Sequence, residues 1–311
     1  MSKIRQILNH DNLSPDLKNL FGHIVKLYDN QNSPSWEQLV FRKDERFHRE
    51  NLLKRGLINF DLPDNGLTPY ESVLLYSYYY LPMHFMSSFL LYYRESTPIE
   101  DLLLSNKRCY FIDFGSGTFT SILAFAAVEY MIKTSNDETS TQYSFNGVTY
   151  FALDQSKTLT ESMTSLNLLF KFNENKNYDF FVVSSLIQNN NWEQVYAKLD
   201  HYISDKKDYS ILLNFSYFFA SPTLDTNSLI NIINYISIVH HKATCLIFFQ
   251  NPTPEFLNEK WEHFKSQLPQ FKTVVETTED IPYFPNSKVK YETMILDNDF
   301  VYKLKVKVSE N

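Results

Sequence analysis

Asp113, Gly115 and Gly117 fall within CYFIDFGSGTFT, residues 109–120, and Asp154 closes a second apolar run, YFALD. The chain has 6 glycines in 311 residues, where ordinary usage of ~7% would give about 22. Two glycines one residue apart, directly after an apolar run, therefore mark a demand of the backbone. Glycine at the end of a strand lets the chain turn tightly and approach a ligand closely, and a helix that follows aims its free N–H groups at that ligand. The spacing predicts a ligand site at the carboxyl end of a strand.

Other side chains could do chemistry. His84 lies two residues after Pro82 in an aromatic run; a neutral imidazole there could take a substrate proton, or it could be satisfied within a packed interface. Tyr79, Tyr80 and Tyr217 could line a substrate pocket or sit in the core with bonded hydroxyls. His240-His241 ends a helical stretch, where dipole complementation accounts for it. No serine shows a G-x-S-x-G elbow. The two cysteines, Cys109 and Cys245, lie in apolar runs as small buried hydrophobes, which offers neither a disulfide framework nor a metal spacing.

The elements that must position these residues change period near residue 105. Before it the chain reads as helical: SPDLKNLFGHIVKLYDN with Ser14-Pro15 at its start, SPSWEQLVFRKDERFHRENLLKRG capped by Ser33 or Ser35, and TPYESVLLYSYYY opened by Thr68-Pro69 with Glu71 in the first turn. Pro82 is expected to break or restart that last helix. From residue 108, RCYFIDF, VTYFALD, YDFFVVSS, YSILLNFS and TCLIFFQNP read as strands buried on both faces, separated by helical stretches. The alternation predicts an α/β fold with a parallel sheet covered by helices. KVKYETMIL and FVYKLKVKVS, joined by Asp297-Asn298-Asp299, read as a terminal antiparallel hairpin, with Lys303, Lys305 and Lys307 on a solvated face.

Asp113-Phe114-Gly115-Ser116-Gly117 resembles motif I of class I S-adenosylmethionine-dependent methyltransferases, D/E-x-G-x-G-x-G, and Asp154 stands where that family keeps a carboxylate for the ribose hydroxyls. The resemblance covers about residues 105–310. It implies a Rossmann-like seven-stranded, mostly parallel sheet with a terminal antiparallel hairpin, preceded by an N-terminal helical region. It implies S-adenosylmethionine as cofactor, held by Asp113, Gly115, Ser116, Gly117, Asp154 and Gln155, with Ser184 or Ser185 near the adenine and Asn214 at the end of the fourth strand. Asp154 also reads as a plain helix cap. Phe119 takes the place of the third motif glycine, and the polar stretch 134–147 lengthens the interval to Asp154. Asn214-Phe215-Ser216-Tyr217 occupies the place of the N-P-P-Y motif of amino-methylating enzymes without its prolines.

The expected organisation is a lid and acceptor region over 1–105 and a cofactor-binding domain over 106–311. The expected reaction is methyl transfer to a small molecule or peptide, with His84, Tyr80 and Tyr217 as candidate catalytic groups. The alternatives are an RNA- or protein-modifying enzyme of the same fold, or a non-catalytic partner subunit. A net charge of −7 and a pI near 5.6 lack the basic footprint of a nucleic-acid binder. No run reaches membrane-spanning length and no leader precedes the first helix, so a cytoplasmic location is expected.

Overall fold

A computed structural model describes residues 3–8, 13–94, 99, 107–139, 147–169, 178–183, 192–203, 208–221 and 224–300. In chain order it contains helices α1 (Lys3–Ile7), α2 (Pro15–Asn30) and α3 (Pro69–Arg94), then β1 (Arg108–Phe114), α4 (Thr120–Thr139), β2 (Val148–Leu153), α5 (Lys157–Leu169), β3 (Tyr178–Val183), α6 (Trp192–Ile203), β4 (Tyr209–Ser216), α7 (Thr226–Val239), β5 (Thr244–Pro252), α8 (Glu259–Ser266), β6 (Phe271–Asp280) and β7 (Lys288–Leu296). The strand order is β3-β2-β1-β4-β5-β7-β6. The β3, β2, β1, β4 and β5 neighbours pair in parallel, and β7 runs antiparallel to both β5 and β6. This is a Rossmann-like α/β fold whose strand order reverses between β1 and β4.

Strand alternation splits the apolar runs between two cores. On one face Phe111, Tyr150, Leu212, Phe248 and Tyr291 pack with α3 and α4. On the other, Ile112, Phe114, Leu213, Phe215, Ile247 and Phe249 pack with residues of α6, α7 and α8, among them Leu199, Ile233 and Trp261. Runs that must serve both faces cannot alternate with polar residues, which is why the sequence shows them as continuous.

Thr68 and Glu71 close a reciprocal cap at the head of α3: the Thr68 N–H and hydroxyl each donate to Glu71 Oε2 at 2.9 Å, and the Glu71 N–H donates back to Thr68 Oγ1 at 3.3 Å. The helix then runs unbroken through Pro82, contrary to the expected break. An interior proline costs about 3 kcal/mol, but Leu81, Phe85, Met86, Leu91 and Tyr92 around it are all buried in one core, and that packing outweighs the lost turn bond. Residues 33–56 differ in the other direction. Ser33 caps the turn Pro34–Trp36 as expected, but Asp44 starts a new one by accepting from the Phe47 N–H at 2.8 Å, so one long helix becomes short pieces.

The terminal antiparallel pair is β6 with β7, where the sequence pattern had joined 288–296 to 300–309; residues 301–311 lie outside the described residues. The strand β6 escapes notice in the sequence because it is a half-exposed sheet edge, FKTVVETTED, with few apolar positions to mark it. Among the described residues no helix is long and apolar enough to cross a membrane.

Candidate functional site

The glycine pair leaves β1 at the point where strand order reverses, the place where open α/β sheets bind ligands. Three residues of the turn have left-handed backbone: Gly115 (φ +68°), Gly117 (φ +51°) and Phe119 (φ +58°). A side chain on Gly115 would place its Cβ 2.7 Å from Cδ2 of Phe218, whereas at Gly117 the nearest neighbour is the Gly115 carbonyl at 3.8 Å. Gly115 is thus required by packing and conformation together, and Gly117 by conformation alone, since a Cβ there would make only an ordinary contact. Phe119, a bulky residue in a region that favours glycine, is fully buried against Tyr150 at 5.9 Å between centroids. Its apolar burial offsets the backbone strain.

Asp154 ends β2 and is half-buried. Its Oδ2 accepts from the Gly117 N–H and its Oδ1 from the Ser156 N–H, both at 2.9 Å. Asp154 thus braces the glycine turn and the backbone leading into α5, whose first turn is capped by the Ser156 hydroxyl accepting from the Leu159 N–H at 3.1 Å. Burial pushes its pKa up, opposed by these backbone donors. Gln155 is exposed beside it. Within the turn the Ser116 and Thr118 hydroxyls are buried and have no hydrogen-bond partner among the described residues, a condition that points to a missing partner.

Asp113 and Asn214 are placed differently from the expected cofactor contacts. Both are fully buried. Residues 109, 111 and 113 of β1 share the face beneath α3 and α4, and Asp113 lies in register with Asn214. Tyr150 donates to Asp113 Oδ2 at 2.6 Å, Asn214 Nδ2 donates to Oδ1 at 2.7 Å, and Tyr92 donates to Asn214 Oδ1 at 2.9 Å. Burial raises the Asp113 pKa to about 7 despite these donors. Asp113 therefore joins the end of β1 to Tyr150 on β2 and Asn214 on β4. Ser184 and Ser185 lie outside the described residues.

Helix α3 carries Tyr76, Tyr80 and His84 at four-residue spacing, one stripe of a helix. Tyr76 and Tyr80 stack at 4.8 Å, and His84 stacks on Tyr217 at 4.0 Å. Tyr217 follows β4 with φ +60°; its N–H donates to the Gln250 carbonyl at 2.8 Å and its hydroxyl lies 2.9 Å from Ser87 Oγ. Burial lowers the His84 pKa to about 3. The ring is neutral at pH 7, its proton affinity lowered by burial, and it is packed face to face with Tyr217. The Arg49 guanidinium lies 5.2 Å over the ring of Tyr80. Tyr79 is committed elsewhere: His48 Nε2 donates to the Val40 carbonyl at 3.0 Å, which leaves Nδ1 to accept from the Tyr79 hydroxyl at 2.7 Å.

Three participants were missed in the sequence. Tyr76 was legible, because helical spacing groups it with Tyr80 and His84. Gln250 and Asp61 carried no local signal. Gln250 is fully buried and joins α3 to the ends of β4 and β5 by accepting from Ser87 at 2.7 Å and donating to Ser216 at 2.7 Å. Asp61 comes from the loop before α3 and reaches the start of α5.

No protein-family model matches the chain, and no curated protein matches its sequence. Solved structures similar to it include the TYW2 protein of Pyrococcus horikoshii in complex with MeSAdo (14% identity, 66% of this chain, 62% of that chain, TM-score 0.33). Others are the magnesium protoporphyrin IX methyltransferase of Synechocystis with bound SAM (10%, 86% and 99%, 0.37) and an O-methyltransferase family protein of Burkholderia thailandensis (10%, 90% and 71%, 0.31). This chain spans less than two thirds of the length of the P. horikoshii protein. The strand order, with β7 inserted antiparallel between β5 and β6, is in itself that of the class I methyltransferase fold.

Proposed function

We propose that the chain binds S-adenosylmethionine at the glycine turn and transfers its methyl group to a small-molecule or peptide acceptor. The observation that carries this reading is the turn at the strand-order reversal, where the Asp154 carboxylate holds the Gly117 N–H beside two partnerless hydroxyls, Ser116 and Thr118. These residues fit the group: an acid for ribose hydroxyls, a turn that carries no side chain at Gly115 or Gly117, and unpartnered hydroxyls at Ser116 and Thr118. Gly115, Ser116, Gly117, Asp154 and Gln155 would hold the cofactor, while Asp113 and Asn214 fix the turn they stand on. Bound there, the cofactor supplies a methyl group already activated on a sulfonium.

The protein is then left to hold the acceptor in line and exclude water. The region 1–105 supplies the acceptor wall through Tyr76, Tyr80 and His84, faced by Tyr217 from the cofactor-binding part. Burial keeps Tyr76 and Tyr217 protonated and His84 neutral at pH 7. Such a wall suits an aromatic-bearing acceptor whose nucleophile reacts without a strong base. One observation favours the reading as a cofactor-free scaffold: the Phe218 ring lies against Gly115, which narrows the turn.

Calorimetric titration with S-adenosylmethionine, S-adenosylhomocysteine and NAD tests the reading. The sulfur compounds bind and NAD binds poorly. Asp154→Ala weakens the binding by roughly 1.5–3 kcal/mol, the worth of hydrogen bonds to a charged acceptor. Tight NAD binding with no affinity for the sulfur compounds would falsify the assignment, and no binding of any of the three favours the scaffold.

A further inference from the structure

Asp61 belongs to the N-terminal region, yet its carboxylate sits on the first turn of α5. Oδ1 accepts from the Thr158 N–H at 2.7 Å and from the Ser156 hydroxyl at 3.0 Å, and Oδ2 accepts from the Lys157 N–H at 3.3 Å. These three donors begin two residues after Asp154. A helix start presents unpaired N–H groups and positive partial charge, so a carboxylate is stabilised there, and these donors hold the Asp61 pKa below the usual carboxylate range against partial burial. The cap is supplied from some 95 positions away in sequence, so it ties two parts of the chain together rather than finishing a local helix.

The segment around Asp61 is built to present it. The Asp61 N–H donates to Asn59 Oδ1 at 2.9 Å, a short turn that fixes the backbone. Phe60 is buried, with its ring 5.0 Å from that of Tyr76 in an edge contact. Tyr76 in turn stands close enough to Asp154 for the carboxylate charge to raise its pKa. Phe60 and Asp61 thus bridge the acceptor wall on α3 and the end of β2 that carries Asp154. Leu57 and Leu62 at its two ends are 65% and 59% exposed, while Ile58 and Phe60 are buried, so the segment is held by two apolar anchors and the Asp61 carboxylate between exposed flanks.

We infer that Asp61 is a positioning residue that latches the N-terminal region across the Asp154 end of the cleft, and that release of this latch limits how fast cofactor enters and leaves. The inference rests on the methyltransferase reading, because it takes Asp154 as part of a cofactor site. A latch of this kind is closed in the free and in the bound protein. Removing it speeds both directions of exchange and changes the equilibrium affinity much less. A purely structural cap would instead lower stability and affinity with no gain in entry rate.

Stopped-flow binding of S-adenosylhomocysteine to the full chain tests this with Asp61→Ala and Asp61→Asn. Asparagine keeps one acceptor oxygen for the Thr158 N–H and the Ser156 hydroxyl and gives up only the long bond from the Lys157 N–H, so Asp61→Asn keeps both rate constants within about threefold of the native chain. Asp61→Ala raises kon and koff each by about tenfold, corresponding to the loss of about 1.4 kcal/mol from the latch. Should Asp61→Ala fold poorly, Phe60→Leu, which shortens the contact with Tyr76, raises both constants in the same direction. An unchanged or reduced kon in the folded variants overturns the latch while leaving the cofactor site standing. Failure of the native chain to bind S-adenosylhomocysteine at all overturns both.

Discussion

The turn leaving β1 and the turn leaving β4 adjoin each other at the carboxyl edge of the sheet, and both pass through left-handed backbone. The first does so with Gly115 and Gly117, and the second with Tyr217. A glycine turn meets its conformational requirement locally. The tyrosine turn is held from outside, by the Gln250 carbonyl on its N–H, Ser87 beside its hydroxyl and His84 against its ring. What differs is what fills the turn: the first carries two residues without side chains, one of them packed under the Phe218 ring, and the second commits an aromatic ring of its own. Phe119 shows both habits at once, a left-handed aromatic inside the glycine turn whose ring is buried rather than presented.

The largest expected effect is at Phe119. Truncation to alanine removes a fully buried ring and destabilises the fold by about 3–5 kcal/mol in denaturant titration. Phe119→Gly removes the same ring but relieves the left-handed backbone, so it is less destabilising than the alanine variant by about 1 kcal/mol. If alanine and glycine behave alike, the turn is not strained at this residue.

Asp113 and Asn214 tie together the strand ends from which the two turns leave, and the acid makes that tie depend on pH. The native state holds its proton up to about pH 7, while the unfolded chain releases it near pH 4. Between those limits the native state binds more protons than the unfolded state, so this contribution to stability is complete below pH 4 and is lost as pH rises to 7. Relative to Asp113→Asn, the native chain loses on the order of 4 kcal/mol across that window. Parallel pH curves for the two proteins count against a raised pKa.

Within the first turn, Gly115→Ala meets both the Phe218 ring and the backbone requirement and destabilises by about 2 kcal/mol or more. Gly117→Ala meets only the second and loses about 1 kcal/mol. Equal losses at the two positions mean that Phe218 moves aside, and the contrast in crowding disappears. The smallest effect is at the second turn. Tyr217→Phe removes one hydroxyl contact with Ser87 and lowers stability by about 1 kcal/mol, while on the proposed reading cofactor titration is unchanged.

Much of this architecture is written locally. The glycine pair after an apolar run, the Thr68–Glu71 cap, the Ser14 cap and five continuous apolar runs each express a requirement that a few neighbouring residues can state. Left-handed backbone, orphan N–H groups at a helix start and strands covered on both faces impose their energies within one turn or one strand, so the residue types reveal them. These set the order of elements, the fold class and the position of the ligand turn.

Tertiary structure decided which way each marked residue points and what it touches. Asp113 turned inward because strand alternation gave it the α3–α4 face and register set Asn214 beside it. The helix α3 ran through Pro82 because its neighbours share one buried surface. The proton affinity of His84 was lowered by burial that no local pattern encodes. The edge strand β6 is recognised only through its pairing with β7. Asp61 and Gln250 became parts of the site by meeting partners far away in the chain. Burial and hydrogen-bond partnership are properties of the assembled chain, since they depend on elements that approach one another only after the local signals have formed, and for that reason the sequence located the turn while the fold chose the side chains around it.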